Sequence, residues 1–524
     1  MYLKSLYPPV PPTPDVNFHE LLWTSPLPIP KTDYILHIDA LTGRKRTRNE
    51  FYEEYQFTRI HDANTFMFGD WGTLCTSIRI LDAVRTTTLP EDSEAFEDIH
   101  TFIAVFSDDR GRERTSFGEL TQQMRKKSVP RVPVKAVKKD SLAYLVFSSG
   151  TSGLPKAVMI SHGNLSFTLA ALMVWVQQEM KLNPVAKAPA HLVWIAALPF
   201  HHSYGLHMFC LRGFIFPTTF VVLPRWDSDR VLAAIPKYRI SMLPLVPSVA
   251  HQLVYSKKFA SADLSTITNV LCGAAALPTA LAERLSGLTK NTPISEGYGL
   301  TEATLSACLK PTPGVIPGVV PLVGSCGILL PGMEARILRE DGSEANVNEP
   351  GELWLKGLNV AMGYFNDEKA TRETFVNGWL RTGDGIRADA NGTLFFVDRL
   401  KDTLKISGVQ VSPTELEAVL RSHPAGLITD VSVAGVAGRR TADEKVPKAW
   451  IVLSDEGKRR GERATIQELD NWVKSSLSSY KWLRGGIEVI DEIPKLPTGK
   501  VLRRVLQGRE NERRKVTIEE RSRL

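Results

Sequence analysis

The sequence predicts an α/β protein: a large N-terminal domain of layered α/β subdomains plus a β-rich subdomain, followed by a small mobile α+β C-terminal domain. Three observations predict it. From 141 to about 335, apolar strands alternate with helical stretches and Gly/Pro turns, the pattern of helices layered on a sheet. Residues 320–398 are richer in glycine turns and β-formers. After Asp398-Arg399-Leu400-Lys401 a new helix-and-strand pattern starts, which divides the chain into 1–400 and 401–524.

Taken in order, residues 1–30 are Pro-rich and expected to be irregular, and Tyr34–Ile38 reads as a strand with a turn near Thr42-Gly43. From 50 to 100 no period is sustained; Thr101–Phe106 reads as a strand and Pro130–Lys139 as a connector. Tyr144–Phe147, His191–Pro199, Ile240–Val246, Asn269–Gly273 and Gly351–Gly357 are apolar, β-forming runs. In the last part Pro413–Leu420 and Thr465–Leu477 carry a helical pattern, and Thr429–Val436 and Lys448–Leu453 a strand pattern. There is no internal repeat and no low-complexity tract.

With 524 residues, 43% of them hydrophobic, the chain can bury large cores, and 23% charged residues is ordinary for a globular protein. Its apolar runs fall short of a membrane span, and the start, Met1-Tyr2-Leu3-Lys4 followed by prolines, lacks a signal-peptide core. The five cysteines, at 75, 210, 272, 308 and 326, are scattered without a Cys-x-x-Cys pair, which argues for a reducing compartment and against structural zinc. The net charge is +7, and from Lys401 onward there are 24 basic against 18 acidic residues. No groove-reading or aromatic-interleaved motif accompanies this excess, so nucleic acid is not expected as a partner. A solvated surface or a phosphate-rich small ligand accounts for it.

Five motifs carry chemistry. Ser148-Ser149-Gly150-Thr151-Ser152-Gly153-Leu154-Pro155-Lys156 follows a strand, and its small residues let backbone N–H groups and hydroxyls approach an anion, with Lys156 adding charge. It is neither a Walker A loop nor a dinucleotide fingerprint; a flexible Ser/Gly linker is the alternative. In Glu296-Gly297-Tyr298-Gly299-Leu300-Thr301-Glu302, Tyr298 offers a ring to a base, Thr301 a hydroxyl to a phosphate and Glu302 a hard oxygen to Mg²⁺. A capped glycine turn at a helix start is the plain alternative. Asp384, in Trp379-Leu380-Arg381-Thr382-Gly383-Asp384, is expected in a turn from which its carboxylate accepts ribose hydroxyls, or is simply a surface Asp. Arg399 suits a ribose or phosphate contact, or belongs to a charged linker. Lys500 ends the stiff loop Pro494-Lys495-Leu496-Pro497-Thr498-Gly499 and suits a negative transition state at phosphorus, if it is more than another surface lysine.

In order and spacing these motifs resemble the adenylate-forming superfamily of acyl-CoA synthetases, adenylation domains and luciferases, and within it the 4-coumarate–CoA ligase-like branch. Leu198-Pro199-Phe200-His201-His202-Ser203-Tyr204-Gly205, Cys272-Gly273-Ala274-Ala275-Ala276-Leu277 and Gly351-Glu352-Leu353-Trp354-Leu355-Lys356-Gly357 extend the resemblance over about 141–505. The resemblance implies ATP, Mg²⁺ and coenzyme A as cofactors and a small carboxylic acid as substrate. It implies a phosphate loop at 148–156, and α-phosphate and Mg²⁺ contacts from Thr301 and Glu302. An adenine site is implied at Gly273, Ala274, Ala275, Tyr298 and Gly299, and a ribose grip at Asp384 and Arg399. Lys401 matches the hinge, Lys405, Gly408 and Gln410 match adenylate contacts, and Lys500 matches the catalytic lysine. His202 matches the gating histidine of the acyl pocket, with Tyr204 beside it. A metal reading of His201, His202 and His207 lacks a completing carboxylate or Cys.

The activity implied is activation of a carboxylic acid as its acyl-adenylate and transfer to coenzyme A. The short stretch after Lys500 leaves no room for a carrier domain, which favours coenzyme A, and no Gly-x-Ser-x-Gly elbow supplies a competing nucleophile. A luciferase-like adenylating enzyme, or a nucleotide-binding but impaired relative, stays open. The second arises because the segment near 55–80 is shorter than the family's. Gly385-Ile386 is a further departure from the family pattern, expected to matter little. Ser522-Arg523-Leu524, after the charged stretch Glu510–Arg521 that is expected to be an exposed tail, resembles a peroxisomal address and implies the peroxisomal import receptor as partner, with the cytoplasm as the alternative location.

Overall fold

The computed structural model describes residues 1–16, 35–40, 43, 45–47, 137–148, 156–182, 192–200, 202–211, 217–223, 226–275, 277–290, 292–400, 404–406, 409–438, 445–495 and 501–522. Its largest sheet has nine strands in the order Ile328–Leu329, Cys308–Leu309, Ile294–Tyr298, Asn269–Cys272, Met242–Leu245, Leu192–Ala196, Thr218–Val222, Ile35–Asp39 and Lys45–Thr47. From Ile294–Tyr298 to Ile35–Asp39 every pairing is parallel; the outer pairings are antiparallel. Parallel strands are covered on both faces and so read as continuous apolar runs. Thr218–Val222 is buried at all five positions, and Ile195, Phe220, Leu243 and Val270 centre the largest core. Each such side chain contributes about 1.5–3 kcal/mol by leaving water.

The helices follow from local signals. Ser228–Tyr238 starts at Asp227, whose side chain accepts from the Arg230 N–H (3.0 Å), and ends at Arg239 with a left-handed φ of 54°. Pro413–Arg421 starts with Ser412 as cap and Pro413 as first residue, where a missing N–H costs nothing.

A three-stranded sheet joins Leu142–Ser148, Lys156–Ser161 and Gly363–Tyr364. The β-rich part is a six-stranded sheet that includes Glu334–Leu338, Gly351–Lys356, Trp379–Ala388 and Leu394–Arg399. The last part is α+β, with Ile428–Ala437, Lys445–Leu453 and Ile487–Val489 packed under Pro413–Arg421 and Glu462–Ser476 around Val431, Ile451, Leu416 and Leu469.

Several expectations are met within a residue or a few: Ile35–Asp39, Leu142–Ser148, Leu192–Ala196, Met242–Leu245, Asn269–Cys272, Gly351–Lys356 and Pro413–Arg421 are strands or helix as read. Three are corrected. The Pro-rich start is not irregular throughout: Tyr2–Lys4 adds an edge strand to Glu334–Leu338, because its backbone groups find partners there. Asp384 lies not in a turn but within the ten-residue strand Trp379–Ala388. The stretch 510–521 belongs to the helix Arg503–Ser522; residues 511–513 are exposed as read, but Glu510 is buried against Lys448 (2.5 Å). The expected strand at 101–106 and the shortened segment near 55–80 lie outside the described residues. No described helix is long and apolar enough to cross a membrane.

Candidate active site

The turn after strand Ile294–Tyr298 is the centre of the site. Gly299 has no room for a side chain: a Cβ there would lie 1.6 Å from the Leu305 carbonyl oxygen. The chain then forms a short 3₁₀ turn, Thr301–Ala303, and leaves it through two left-handed residues, Thr304 (φ 49°) and Leu305 (φ 85°). Such conformations cost of order 1–3 kcal/mol each and persist only where surroundings impose them. Here Asn359 imposes them. Its side-chain amide donates to the carbonyls of Ala303 (3.0 Å) and Ser306 (3.3 Å), and its backbone carbonyl accepts from the Thr304 hydroxyl (2.6 Å). Asn164, on helix His162–Leu182, holds the Asn359 segment in turn by donating to the carbonyls of Leu358 (2.7 Å) and Val360 (2.9 Å). Thr301 and Glu302 therefore sit on a clamped backbone.

Around this turn the fold gathers charge and hydroxyls. The Tyr298 hydroxyl donates to Asp384 Oδ2 (2.7 Å), and Arg399 Nε stands 3.5 Å from Asp384 Oδ1. Asp384 and Arg399 are directly opposite in antiparallel register, which the sequence distance between them conceals. Gly383 (φ 70°) and the Thr382 hydroxyl, which accepts from the Asp384 N–H (3.1 Å), distort the strand here and set the aim of the carboxylate. Burial, with the Asp384 carboxylate adding to it, holds the Tyr298 phenol well above its ordinary range. Tyr298 thus presents itself as a neutral donor, and Asp384 meets any ligand already engaged by two partners.

Glu302 Oε1 accepts from the Tyr364 hydroxyl (2.9 Å), and Lys156 Nζ lies 4.7 Å above the Tyr364 ring. On the strand that ends at Tyr298, Glu296 is buried and takes Lys310 Nζ at 2.5 Å; burial raises its carboxyl despite the lysine.

The acyl-pocket motif starts at His202, whose Nδ1 accepts from the Tyr204 N–H (3.3 Å), and runs into a π-helical segment, Leu206–Leu211. Such segments recur at functional sites. His207 Nε2 is 2.6 Å from the Tyr144 hydroxyl, so it is held by a phenol on the strand before the phosphate loop. Gly273 faces the Tyr204 ring, and Ala274 takes a left-handed φ of 69° next to Ala275. Lys405 and Gln410 are directly opposite each other across a two-stranded ribbon. Asp398 joins Leu394–Arg399 to the start of the next helix by accepting from the Ser412 hydroxyl (2.5 Å) and the Thr414 N–H (3.2 Å). The expected contacts Ser149, Gly150, Thr151, Ser152, Gly153, Lys401, Gly408 and Lys500 lie outside the described residues, as does His201.

Comparison with known proteins decides the family. Residues 74–365 match the family model for the AMP-binding enzyme and residues 415–500 that for the AMP-binding enzyme C-terminal domain. The chain belongs to the AMP-binding enzyme family. It is 36% identical over 400 residues to a probable 4-coumarate–CoA ligase 3 of Dictyostelium discoideum, covering 76% of this chain and 68% of that one. It is 34% identical to acyl-CoA synthetase 7 of Caenorhabditis elegans, covering 70% and 65%. The chain thus spans about two thirds of the length of these curated relatives. An ATP-bound RpMatB–BxBclM chimera superposes with a TM-score of 0.74 at 22% identity, covering 94% and 98%. The o-succinylbenzoate coenzyme A synthetase of Bacillus subtilis, in complex with ATP and magnesium ion, does so with 0.68 at 23%, covering 93% and 98%. The family assignment makes this AMP-binding enzyme a ligase of the AMP-forming acyl-CoA synthetase class, which makes an acyl-adenylate with ATP and then a coenzyme A thioester.

Tyr364, Asn359 and Asn164 escaped the sequence reading. The partners that matter here lie tens of residues or more away, and although Ser161 and Asn164 bond reciprocally at the helix start, that spacing marks only a cap.

Proposed function

We propose that this chain activates a small carboxylic acid at the turn Tyr298–Glu302 and passes the acyl group to coenzyme A in the same site. The observation that carries the reading is the convergence, from four separate strands and one turn, of Lys156, Tyr298, Glu302, Asp384 and Arg399.

The donor set fits a nucleotide with its divalent ion. Magnesium prefers one or two carboxylates plus phosphate oxygens and water, and Glu302 beside Thr301 offers such a partial shell. When bound, the ion would offset charge on the phosphates. Lys156 would hold the departing pyrophosphate from the loop 148–156. Tyr298 and Ala274 would flank adenine, and Asp384 with Arg399 would receive the ribose. The acid's carboxylate oxygen attacks the α-phosphorus, the bond to the bridging oxygen breaks, and pyrophosphate leaves. Lys500 would stabilise the charge that develops. The thiol of coenzyme A then attacks the acyl carbonyl and AMP leaves. His202 and Tyr204 would border the acyl group. Lys405, Gly408 and Gln410 would touch the adenylate after the part beyond Lys401 turns about that residue, so that 1–400 and 401–524 act as separate units.

Aromatic, medium-chain and polyketide-type acids are the classes to test. Pyrophosphate release across a panel of such acids tests the reading. Release that needs one acid class, followed by thioester formation, supports it; ATP binding without release from any acid replaces it with the impaired relative. Ser522-Arg523-Leu524 supports delivery to the peroxisome through its import receptor. A fluorescent reporter carrying residues 503–524 should become punctate, and a diffuse cytosolic signal would sink that assignment.

A further inference from the structure

One side chain joins the carboxylate of Glu302 to the lysine of the phosphate loop. Gly363–Tyr364 pairs antiparallel with Lys156–Ser161, Tyr364 opposite Val158, so the phenol runs beside the strand that Lys156 begins. The ring is held on several sides. It is 7% exposed, its backbone N–H donates to Thr371 Oγ1 (2.9 Å), and it meets Phe375 edge-on at 5.6 Å. The turn it reaches is held as well, since the Glu302 carbonyl accepts from the Ala361 N–H (2.9 Å), three residues before Tyr364. Between these fixed ends the Tyr364 hydroxyl donates to Glu302 Oε1 (2.9 Å), and Lys156 Nζ sits 4.7 Å above the ring face.

We propose that Tyr364 is a positioning residue: its hydroxyl orients the Glu302 carboxylate toward a nucleotide-bound divalent cation, while its ring seats Lys156 apart from that carboxylate. The inference rests on the proposed role of Glu302. A donor on one carboxylate oxygen fixes the plane of the group and directs the other oxygen, as outer-shell partners do for metal ligands generally. A cation over the ring face is held by the ring's quadrupole. It also draws electron density from the phenol and makes the O–H a better donor. The ring therefore separates a cation from an anion that would otherwise neutralise each other. Glu302 is kept for the metal and Lys156 for phosphate.

Tyr364→Phe keeps the ring and removes the hydroxyl; Tyr364→Leu removes both. The probes are Mn²⁺, read by electron paramagnetic resonance, and α,β-methylene-ATP, read by calorimetry with Mg²⁺ or with EDTA. The expected result is that Y364F weakens Mn²⁺ binding about 10–100-fold in the presence of the analogue. Its affinity for the analogue falls in Mg²⁺ and not in EDTA, whereas Y364L loses affinity in both. Wild-type Mn²⁺ binding in Y364F overturns the proposal. So does an unfolded Y364F, because a hydroxyl that only orients Glu302 leaves the packing intact. Glu302→Gln separates the two levels: wild-type Mn²⁺ binding in E302Q removes the assigned role of Glu302 itself, while loss in E302Q without loss in Y364F removes only the role of Tyr364.

Discussion

Tyr298 and Asp384 are 86 residues apart in sequence and joined by a 2.7 Å hydrogen bond from phenol to carboxylate. The bond ties the last residue of a strand in the nine-stranded sheet to a carboxylate in the β-rich sheet, and Arg399 completes the group from the neighbouring strand. Tyr298→Phe leaves a buried carboxylate short of one donor. The expected loss is roughly 1–3 kcal/mol of stability, read from urea unfolding. AMP should bind more weakly as well, because Asp384 is no longer aimed. An unchanged AMP affinity would make the pair purely structural.

Lys500 should matter to chemistry and not to ATP binding. Lys500→Ala is expected to lower pyrophosphate release about 10²–10³-fold, the usual effect of losing one transition-state donor. Calorimetric ATP affinity should stay within about threefold. Lys500→Arg should recover little, because a planar guanidinium does not replace a compact ammonium.

The last helix should prove part of the fold. Lys448 is buried between Glu488 (2.8 Å) and Glu510 (2.5 Å). Removing one partner of a buried ion pair leaves a stranded charge and costs about 3–5 kcal/mol. Lys448→Met should therefore lower the urea midpoint sharply, and adding Glu510→Leu should return part of the loss. A midpoint equal to wild type would mean that this helix undocks in solution.

Acid should weaken the protein between about pH 6.5 and pH 4. Burial holds the imidazole of His162 down to about 4, and burial first, with nearby cations, holds His251 there too. In the unfolded chain these groups titrate near 6.5. As pH falls through this window the unfolded state takes up protons that the folded state refuses, so stability present above it is lost. For fully buried His162 this is on the order of 3 kcal/mol at most. Denaturation midpoints from pH 7 to 4.5 should fall, and His162→Gln should flatten the slope. An equal slope in wild type and variant would show that His162 does not carry it.

Strand and helix identities were legible because apolar runs and caps are local. Leu142–Ser148 and Pro413–Arg421 need only their own residues to declare themselves. The place of Asp384 was misread for the same reason. Thr382-Gly383 signals a turn locally, but the strand continues because Gly351–Lys356 and Leu394–Arg399 supply its backbone partners on both sides. Glu510 was read as exposed with the rest of Glu510–Arg521, since no sequence pattern announces that Lys448 will bury it, whereas residues 511–513 are exposed as read.

The sequence by itself determined the family, the order of the motifs and the residue types at the centre of the site. Small residues, hydroxyls, carboxylates and lysines state their chemistry wherever they stand. Only the tertiary structure decided which of them act together. Asp384 came to Tyr298 and Arg399, and Tyr364 came between Lys156 and Glu302, through strand register and the clamps of Asn164 and Asn359. Hydrogen bonds and ring contacts act over a few ångströms, and residues far apart in the chain reach that distance only when the core has folded.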